Sequence, residues 1–273
     1  MHSFLVTGGT GTLGQAIVMQ LLQSDATRIC VFSRDEHKQF EMREAGFTSD
    51  RLRWFIGDVR NVTTLKRAFK GVEAVIHAAA MKHVEASESN PFEAVQTNVI
   101  GAQNVIEAAL DCGVSRVLAI STDKAENPTT LYGATKLCAE RLFLAAKSYA
   151  GARGAKFSCA RFGNIAFSRG SVIPKWRRII AEGSRVVPVT DPECTRYWIT
   201  AEDAAKFALR ALAFAASDIV AVPNMPAFRI ADLASAMGVG MDVRGLGPGE
   251  RLHEDGSELA SRLTVEDLRG LIT

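Results

Sequence analysis

The sequence lacks a disulfide framework. Its five cysteines, Cys30, Cys112, Cys138, Cys159 and Cys194, are odd in number and far apart, and none forms a C-x-x-C pair. No metal-ligand spacing is present either, so no metal site is expected. No apolar run approaches about 18 residues, which excludes a bilayer-spanning helix. The net charge is only +2, from 32 Lys and Arg against 30 Asp and Glu. That balance argues against bulk binding to nucleic acid or an anionic membrane, though not against a local basic pocket. There is no internal repeat, low-complexity tract or linker rich in Gly, Ser or Pro. The first residues, MHSFLVTGG, enter a strand with no basic-then-apolar leader, so the expected location is cytoplasmic.

What is present is a regular alternation. Phe4 to Thr7, Arg28 to Phe32, Arg53 to Ile56, Ala74 to His77, Val117 to Ser121 and Phe157 to Arg161 are short apolar runs suited to buried strands. Gln15 to Leu22, Val62 to Lys70, Pro91 to Cys112 and Ala134 to Ala150 carry helical periodicity between them. This alternation predicts an α/β fold with a doubly wound parallel sheet. After about Arg161, Pro174, Pro188, Pro192, Pro223, Pro226 and Pro248 punctuate shorter elements. The expected organisation is therefore a first domain over 1–163 and a small cap over 164–273, with some cap elements returning to the first domain. In open α/β sheets ligands lie beyond the carboxyl ends of the strands, where such a cap would close.

The first strand runs into Gly8-Gly9-Thr10-Gly11-Thr12-Leu13-Gly14 and then a helix. G-x-x-G-x-x-G in that context is a Rossmann-type dinucleotide fingerprint. Gly8 permits the turn, Gly11 lets a pyrophosphate approach the backbone, and Gly14 lets helix and strand pack. The second strand ends in Ser33-Arg34 where an NAD enzyme usually carries an acid. Arg34, with Ser33 and Lys38, suits the extra phosphate of NADP, and NAD is the less favoured cofactor. Asp58 and Val59 after the third strand are expected beside the adenine, and Ala78, Ala79 and Ala80 after the fourth leave room for the dinucleotide.

The fifth strand ends in Ser121-Thr122-Asp123-Lys124, and Tyr132 and Lys136 follow at i, i+4 spacing. At a helix start these two lie on one face. A lysine ammonium there would lower the tyrosine pKa and hold the nicotinamide ribose, leaving the tyrosinate to remove a hydroxyl proton as hydride departs.

Tyr132, Lys136 and the glycine loop are similar to the extended short-chain dehydrogenase/reductases. Thr122-Asp123-Lys124, Gly57-Asp58-Val59-Arg60, His77-Ala78-Ala79-Ala80-Met81-Lys82-His83-Val84 and Thr97-Asn98-Val99-Ile100-Gly101 narrow the resemblance. So do Arg169-Gly170-Ser171-Val172-Ile173-Pro174, Thr195-Arg196-Tyr197-Trp198-Ile199 and Pro248-Gly249-Glu250-Arg251-Leu252-His253-Glu254. Together, from Phe4 to about Glu254, they resemble the inverting UDP-N-acetylglucosamine 4,6-dehydratases of pseudaminic-type pathways.

The resemblance implies a mechanism. Tyr132 takes the C4 hydroxyl proton while hydride passes to NADP, and the new ketone acidifies C5. Lys124 acts as base at C5 and protonated Asp123 gives its proton to the departing C6 hydroxyl. Hydride returns to C6, and C5 is reprotonated from the opposite face. Thr122 belongs to this catalytic group and Asn98 to the cofactor site. Lys82, Asn164, Ser171, Val172, Thr190, Arg196 and Glu250 are implied contacts to a UDP-sugar, and a homo-oligomer is implied. His253 has no assigned role. Similar chains continue further, and Asp255 to Thr273 does not resemble theirs, so a trimmed cap is expected. A 4-epimerase shares Tyr132 and Lys136 but needs no acid and base at Asp123 and Lys124. A 5,6-dehydratase shares the early steps, and a non-catalytic NADP sensor need keep none of the four residues.

Overall fold

The computed structural model describes residues 1–151, 154–214 and 219–272. The chain forms two compact units, Met1–Arg161 with Glu202–Val222, and Phe162–Ala201 with Pro223 onward.

The first unit begins as strict alternation: β1 (Ser3–Thr7), α1 (Thr12–Leu22), β2 (Arg28–Ser33), α2 (Glu36–Glu44), β3 (Leu52–Ile56), α3 (Val62–Phe69) and β4 (Ala74–His77). It continues through α4 (Val84–Ser89), α5 (Pro91–Val95), α6 (Gly101–Asp111), β5 (Arg116–Thr122), α7 (Leu131–Ala145), α8 (Lys147–Ala150) and β6 (Lys156–Phe162). The second unit holds β7 (Asn164–Ile165), α9 (Val172–Ala181), β8 (Val186–Val189) and β9 (Thr195–Ile199). The chain then contributes α10 (Ala201–Phe214) and β10 (Val220–Ala221), and ends in β11 (Ala227–Arg229), α11 (Ile230–Ala236), β12 (Gly240–Val243) and α12 (Val265–Ile272).

A seven-stranded sheet in the order β10-β6-β5-β4-β1-β2-β3 forms the first unit. The pairs β1–β2, β1–β4, β2–β3, β4–β5 and β6–β10 run parallel. Every residue of β1 and β4 is buried, as expected for strands covered on both faces. Leu5, Phe32, Leu65, Phe69, Val75, Val105, Val117, Phe143 and Phe157 make one core from the sheet and α3, α6 and α7. The strand order reverses between β1 and β4, and the crevice of a doubly wound sheet opens at the carboxyl ends there. In the second unit Trp176, Trp198, Phe228, Leu233 and Leu268 form a separate core, with Trp198 and Phe228 edge-to-face at 5.6 Å.

Two elements depart from the periodic reading. Pro91 to Cys112 is interrupted by a π-helical turn over Gln96–Ile100, which carries the buried Asn98. The helix expected from Ala134 starts earlier, at Leu131, because the Thr130 side chain accepts a hydrogen bond from the Gly133 amide at 3.1 Å and caps it. That cap puts Tyr132 in the first turn. Among the described residues no helix is long and apolar enough to cross a membrane, and no group of His, Cys, Asp and Glu could hold a metal ion.

Candidate functional site

The glycine turn is built by contact. Gly8 has φ +66, and a Cβ there would stand 2.8 Å from the Ala78 and Ala79 backbone. A Cβ at Gly14 would stand 2.3 Å from the Gly8 carbonyl. The loop is thus pressed on the end of β4, and α1 on the loop. A Cβ at Gly11 would meet only the Gly8 carbonyl, at 3.1 Å. Gly11 is also the N-cap of α1, with no side-chain cap. A helix start of this kind presents backbone amides and a positive dipole end to an anion. Thr10, Thr12 and Leu13 complete the turn, and the Thr10 carbonyl accepts from Gln15 Nε2 at 3.1 Å.

At the end of β2, Arg34 is exposed. Ser33 is buried and its Oγ accepts from Gln39 Nε2 at 3.0 Å. Lys38 is drawn onto Asp35, Nζ to Oδ2 at 2.8 Å. An exposed pair of this kind contributes little, but it leaves Arg34 as the foremost basic group at this point. Asp58 is held by Arg60, Nη2 to Oδ2 at 2.7 Å, and Arg60 also reaches Glu93 at 2.6 Å. Val59 is buried, and Ala80 is exposed beyond β4.

Asn98, expected at the dinucleotide, is committed to the protein frame. Its Oδ1 accepts from the Met81 amide at 2.9 Å, and its Nδ2 donates to the Met81 carbonyl and to Thr135 Oγ1, both at 3.0 Å. Both amide hydrogens are occupied, so Asn98 ties the turn after β4 to α7. Lys82, next along that turn, is exposed.

The groups at the end of β5 form a connected run. Tyr132 is buried, with the Thr122 side chain beside it. Thr122 Oγ1 donates to Asp123 Oδ1 at 2.8 Å, and the same oxygen accepts from the Lys124 amide at 2.9 Å and from Lys124 Nζ at 3.2 Å. Asp123 Oδ2 is buried with no hydrogen-bond partner, a costly state unless it carries a proton or meets a ligand. Burial pushes the Tyr132 phenol above its ordinary value, while the Lys124 ammonium pulls it down. The cation acting on Tyr132 is thus Lys124, not Lys136 as the spacing suggested. Lys136 Nζ instead donates to the Ile120 carbonyl at 2.7 Å. Burial lowers Lys136 to about 8, with the Cys159 thiol and the Glu140 carboxylate opposing the shift.

Near Lys136, His77 is also buried, its Nδ1 2.8 Å from Thr7 Oγ1. Burial, helped by the Lys136 charge, drops it to about 3. His77 therefore stays neutral in the folded protein while the unfolded chain takes up a proton below about 6.5. The stability this provides is complete above that pH and is lost as pH falls toward about 3, at about 1.4 kcal/mol per pH unit. His77→Asn keeps a partner for Thr7 without titrating. Denaturant unfolding of this variant between pH 6 and pH 4 should show a slope shallower by about one proton than that of the natural protein. Equal slopes would contradict the assignment.

In the second unit, Arg196, expected at the substrate, is bonded largely within the protein. Its Nη1 donates to the Thr195 and Leu252 carbonyls at 2.8 and 3.0 Å, its Nη2 to the Arg251 carbonyl at 3.0 Å, and its Nε lies 3.6 Å from Glu254. A guanidinium with three of its five N–H groups on backbone carbonyls clamps residues 251–254. His253 joins that clamp through Thr195 Oγ1 at 2.8 Å. Glu250 Oε2 accepts from the Gly247 amide at 2.8 Å. Thr190 Oγ1 lies 3.8 Å from Cys194 Sγ. Asn164 stands in β7, and Ser171 precedes Val172 at the start of α9 with its buried hydroxyl lacking a partner.

Sequence reasoning missed three residues that frame the site: Thr135, Glu140 and Arg161. Glu140 follows Tyr132 and Lys136 at the next four-residue step, a signal legible in the helical spacing. Arg161 grips both Glu140 oxygens at 2.9 Å, a contact that no local pattern announces.

A doubly wound sheet, a glycine turn at its switch point and a Tyr-Lys helix beside β5 define an enzyme of the extended short-chain dehydrogenase/reductase type. More narrowly, the chain belongs to the polysaccharide biosynthesis protein family, whose profile matches residues 4–266. It is 46% identical to a UDP-N-acetylglucosamine 4,6-dehydratase (inverting) from Campylobacter jejuni, over 92% of this chain and 76% of that protein. It is 38% identical to a UDP-glucose 4-epimerase from Rickettsia canadensis, over 86% of this chain and 70% of that one. The solved structure of Pen from Bacillus thuringiensis superposes with a TM-score of 0.92 at 35% identity, covering 99% of this chain and 96% of Pen.

Proposed function

We propose that this enzyme is an NADP-dependent dehydratase of UDP-N-acetylglucosamine, giving a 4-keto-6-deoxy sugar nucleotide with inversion at C5. The observation that carries the reading is the Asp123–Lys124 pair, buried at the acid, bonded to Thr122 and set beside the buried Tyr132. The similarity to the Campylobacter dehydratase supports it. The Rickettsia relative favours a 4-epimerase as the second reading, but epimerisation gives Asp123 and Lys124 nothing to do.

The turn at Gly8–Gly14 fits a dinucleotide, because its backbone amides are arranged at a helix start and Gly11 has no side chain to obstruct a phosphate. When bound, the nicotinamide supplies the acceptor for hydride from C4 and its return to C6. Tyr132 accepts the C4 hydroxyl proton. Burial opposes tyrosinate formation, so the Lys124 charge matters to this step. Lys124 hands its ammonium proton to Asp123, 3.2 Å away, and as a free amine removes the C5 proton once a ketone at C4 has acidified it. Asp123 Oδ1 already meets three donors, which leaves Oδ2 as the oxygen free to pass a proton to the C6 oxygen as it departs as water. Reprotonation at C5 from the opposite face completes the inversion.

Sugar NMR of the purified protein with UDP-N-acetylglucosamine in deuterated water tests the reading. A 4-keto-6-deoxy product deuterated at C5 supports it, and the 4-epimer as sole product overturns it. The cofactor part has its own test. With Arg34 at the end of β2, NADP should bind more tightly than NAD, and Arg34→Ala should narrow that difference by roughly tenfold, the scale of one charge-assisted contact to phosphate. Titration showing NAD preferred by the natural protein would refute the role of Arg34.

A further inference from the structure

Beyond the reacting groups, a single guanidinium joins the two elements that carry them. Arg161, at the end of β6, grips Glu140 with Nε and Nη2, each at 2.9 Å. Glu140 is 2% exposed and lies on α7 one turn beyond Lys136. The remaining edge of the fork, Nη1, reaches Glu126 at 2.8 Å. Glu126 closes the short turn Asp123–Ala125, its amide donating to the Asp123 carbonyl at 3.0 Å.

A second, independent contact holds the same two elements together. A Cβ at Gly133 would stand 2.2 Å from the Lys124 carbonyl and 3.0 Å from Pro128. Only glycine lets the Lys124 backbone approach α7 this closely, one residue after Tyr132. Between Glu126 and Pro128 the chain reverses through Asn127 at φ +41, a left-handed conformation that asparagine tolerates. The turn bearing the acid and base therefore rests on α7 at one point and is held from the other side by Arg161.

We propose that Arg161 and Glu126 form a positioning strap: Arg161, anchored on Glu140, holds the Asp123–Lys124 turn in register with Tyr132 and Lys136. Neither residue touches the reacting atoms. The strap serves the water-loss half of the reaction, because that half needs Asp123 and Lys124 aligned over a substrate that Tyr132 has already engaged. An error of a fraction of an ångström in that alignment slows proton transfer more than the first oxidation, which feels Lys124 only as a nearby charge. This inference rests on the dehydratase reading.

The outer arm allows a test that spares the fold, since Glu126 is half exposed whereas loss of Arg161 would strand Glu140 in the interior. In Glu126→Gln, stopped-flow absorbance should give nicotinamide reduction slowed less than product formation. Release of the 4-keto-6-deoxy product should slow roughly two- to fivefold, the scale of one partly exposed ion pair. Glu126→Asp should recover part of the loss, and hydrogen exchange should quicken at Lys124 and Glu126 but not along α7. An equal fall of both rates, or unchanged rates with unchanged exchange, overturns the strap. If the natural protein forms no 4-keto-6-deoxy product, the dehydratase reading has failed, and the exchange measurement then decides the strap alone.

Discussion

Tyr132→Phe should lower turnover roughly 10²- to 10⁴-fold, the contribution of a positioned proton acceptor, while cofactor affinity stays nearly unchanged. The substitution removes one oxygen from a side chain that is 8% exposed, so the ring still fills its place on α7. The hydroxyl's neighbour, Thr122, keeps its bond to Asp123 Oδ1, and the expected stability loss is about 1 kcal/mol. Nicotinamide reduction should disappear along with product, because the first step no longer has anywhere to send the C4 hydroxyl proton. A variant that retains most of its kcat would remove Tyr132 from the mechanism. The test is sharpened by the buried setting of the phenol. A tyrosine raised by burial is a poor acceptor until a charge favours its ionised form, and Lys124 is the group that does so here. Oxidation should therefore respond to Lys124 as well as to Tyr132.

Much of this site was legible in the sequence because its determinants are local. The glycine turn is defined within seven residues, and its close contacts follow from where β1 ends and α1 begins. Buried parallel strands appear as short apolar runs, which is why β1, β4 and β5 fall close to their expected positions. Tyr132 and Lys136 share a helix face through their spacing alone. What was not legible depends on contacts between distant segments. The amide of Asn98 looks like a ligand contact until Met81 and Thr135 are seen to occupy it. Arg196 looks like a phosphate-binding arginine, and only the fold shows the carbonyls at Thr195, Arg251 and Leu252 taking three of its five N–H groups. The separation of roles between the two lysines was hidden for the same reason. Spacing sets Lys136 near Tyr132, but the Ile120 carbonyl turns its ammonium aside, and the charge felt by the phenol comes from the preceding turn.

That separation gives the most discriminating prediction. Lys124 has two duties in the proposed reaction: as a cation it favours the ionised form of Tyr132, and as a free amine it removes the C5 proton. Two substitutions divide them. Lys124→Ala removes both, so nicotinamide reduction should be slowed but present, and 4-keto-6-deoxy product should fall by at least roughly 10²-fold. Lys124→Arg keeps the positive charge beside Asp123 but cannot lose its proton at working pH. Reduction in this variant should be closer to the natural rate, with product just as scarce, and the reduced nicotinamide should accumulate as a stable absorbance. In deuterated water neither variant should place deuterium at C5, since no base remains to exchange that position, whereas the natural protein should label it fully. Normal dehydration by Lys124→Ala would overturn the assignment of the base. A 5,6-alkene product from the natural protein would leave both duties of Lys124 standing and change only the fate of the bond between C5 and C6.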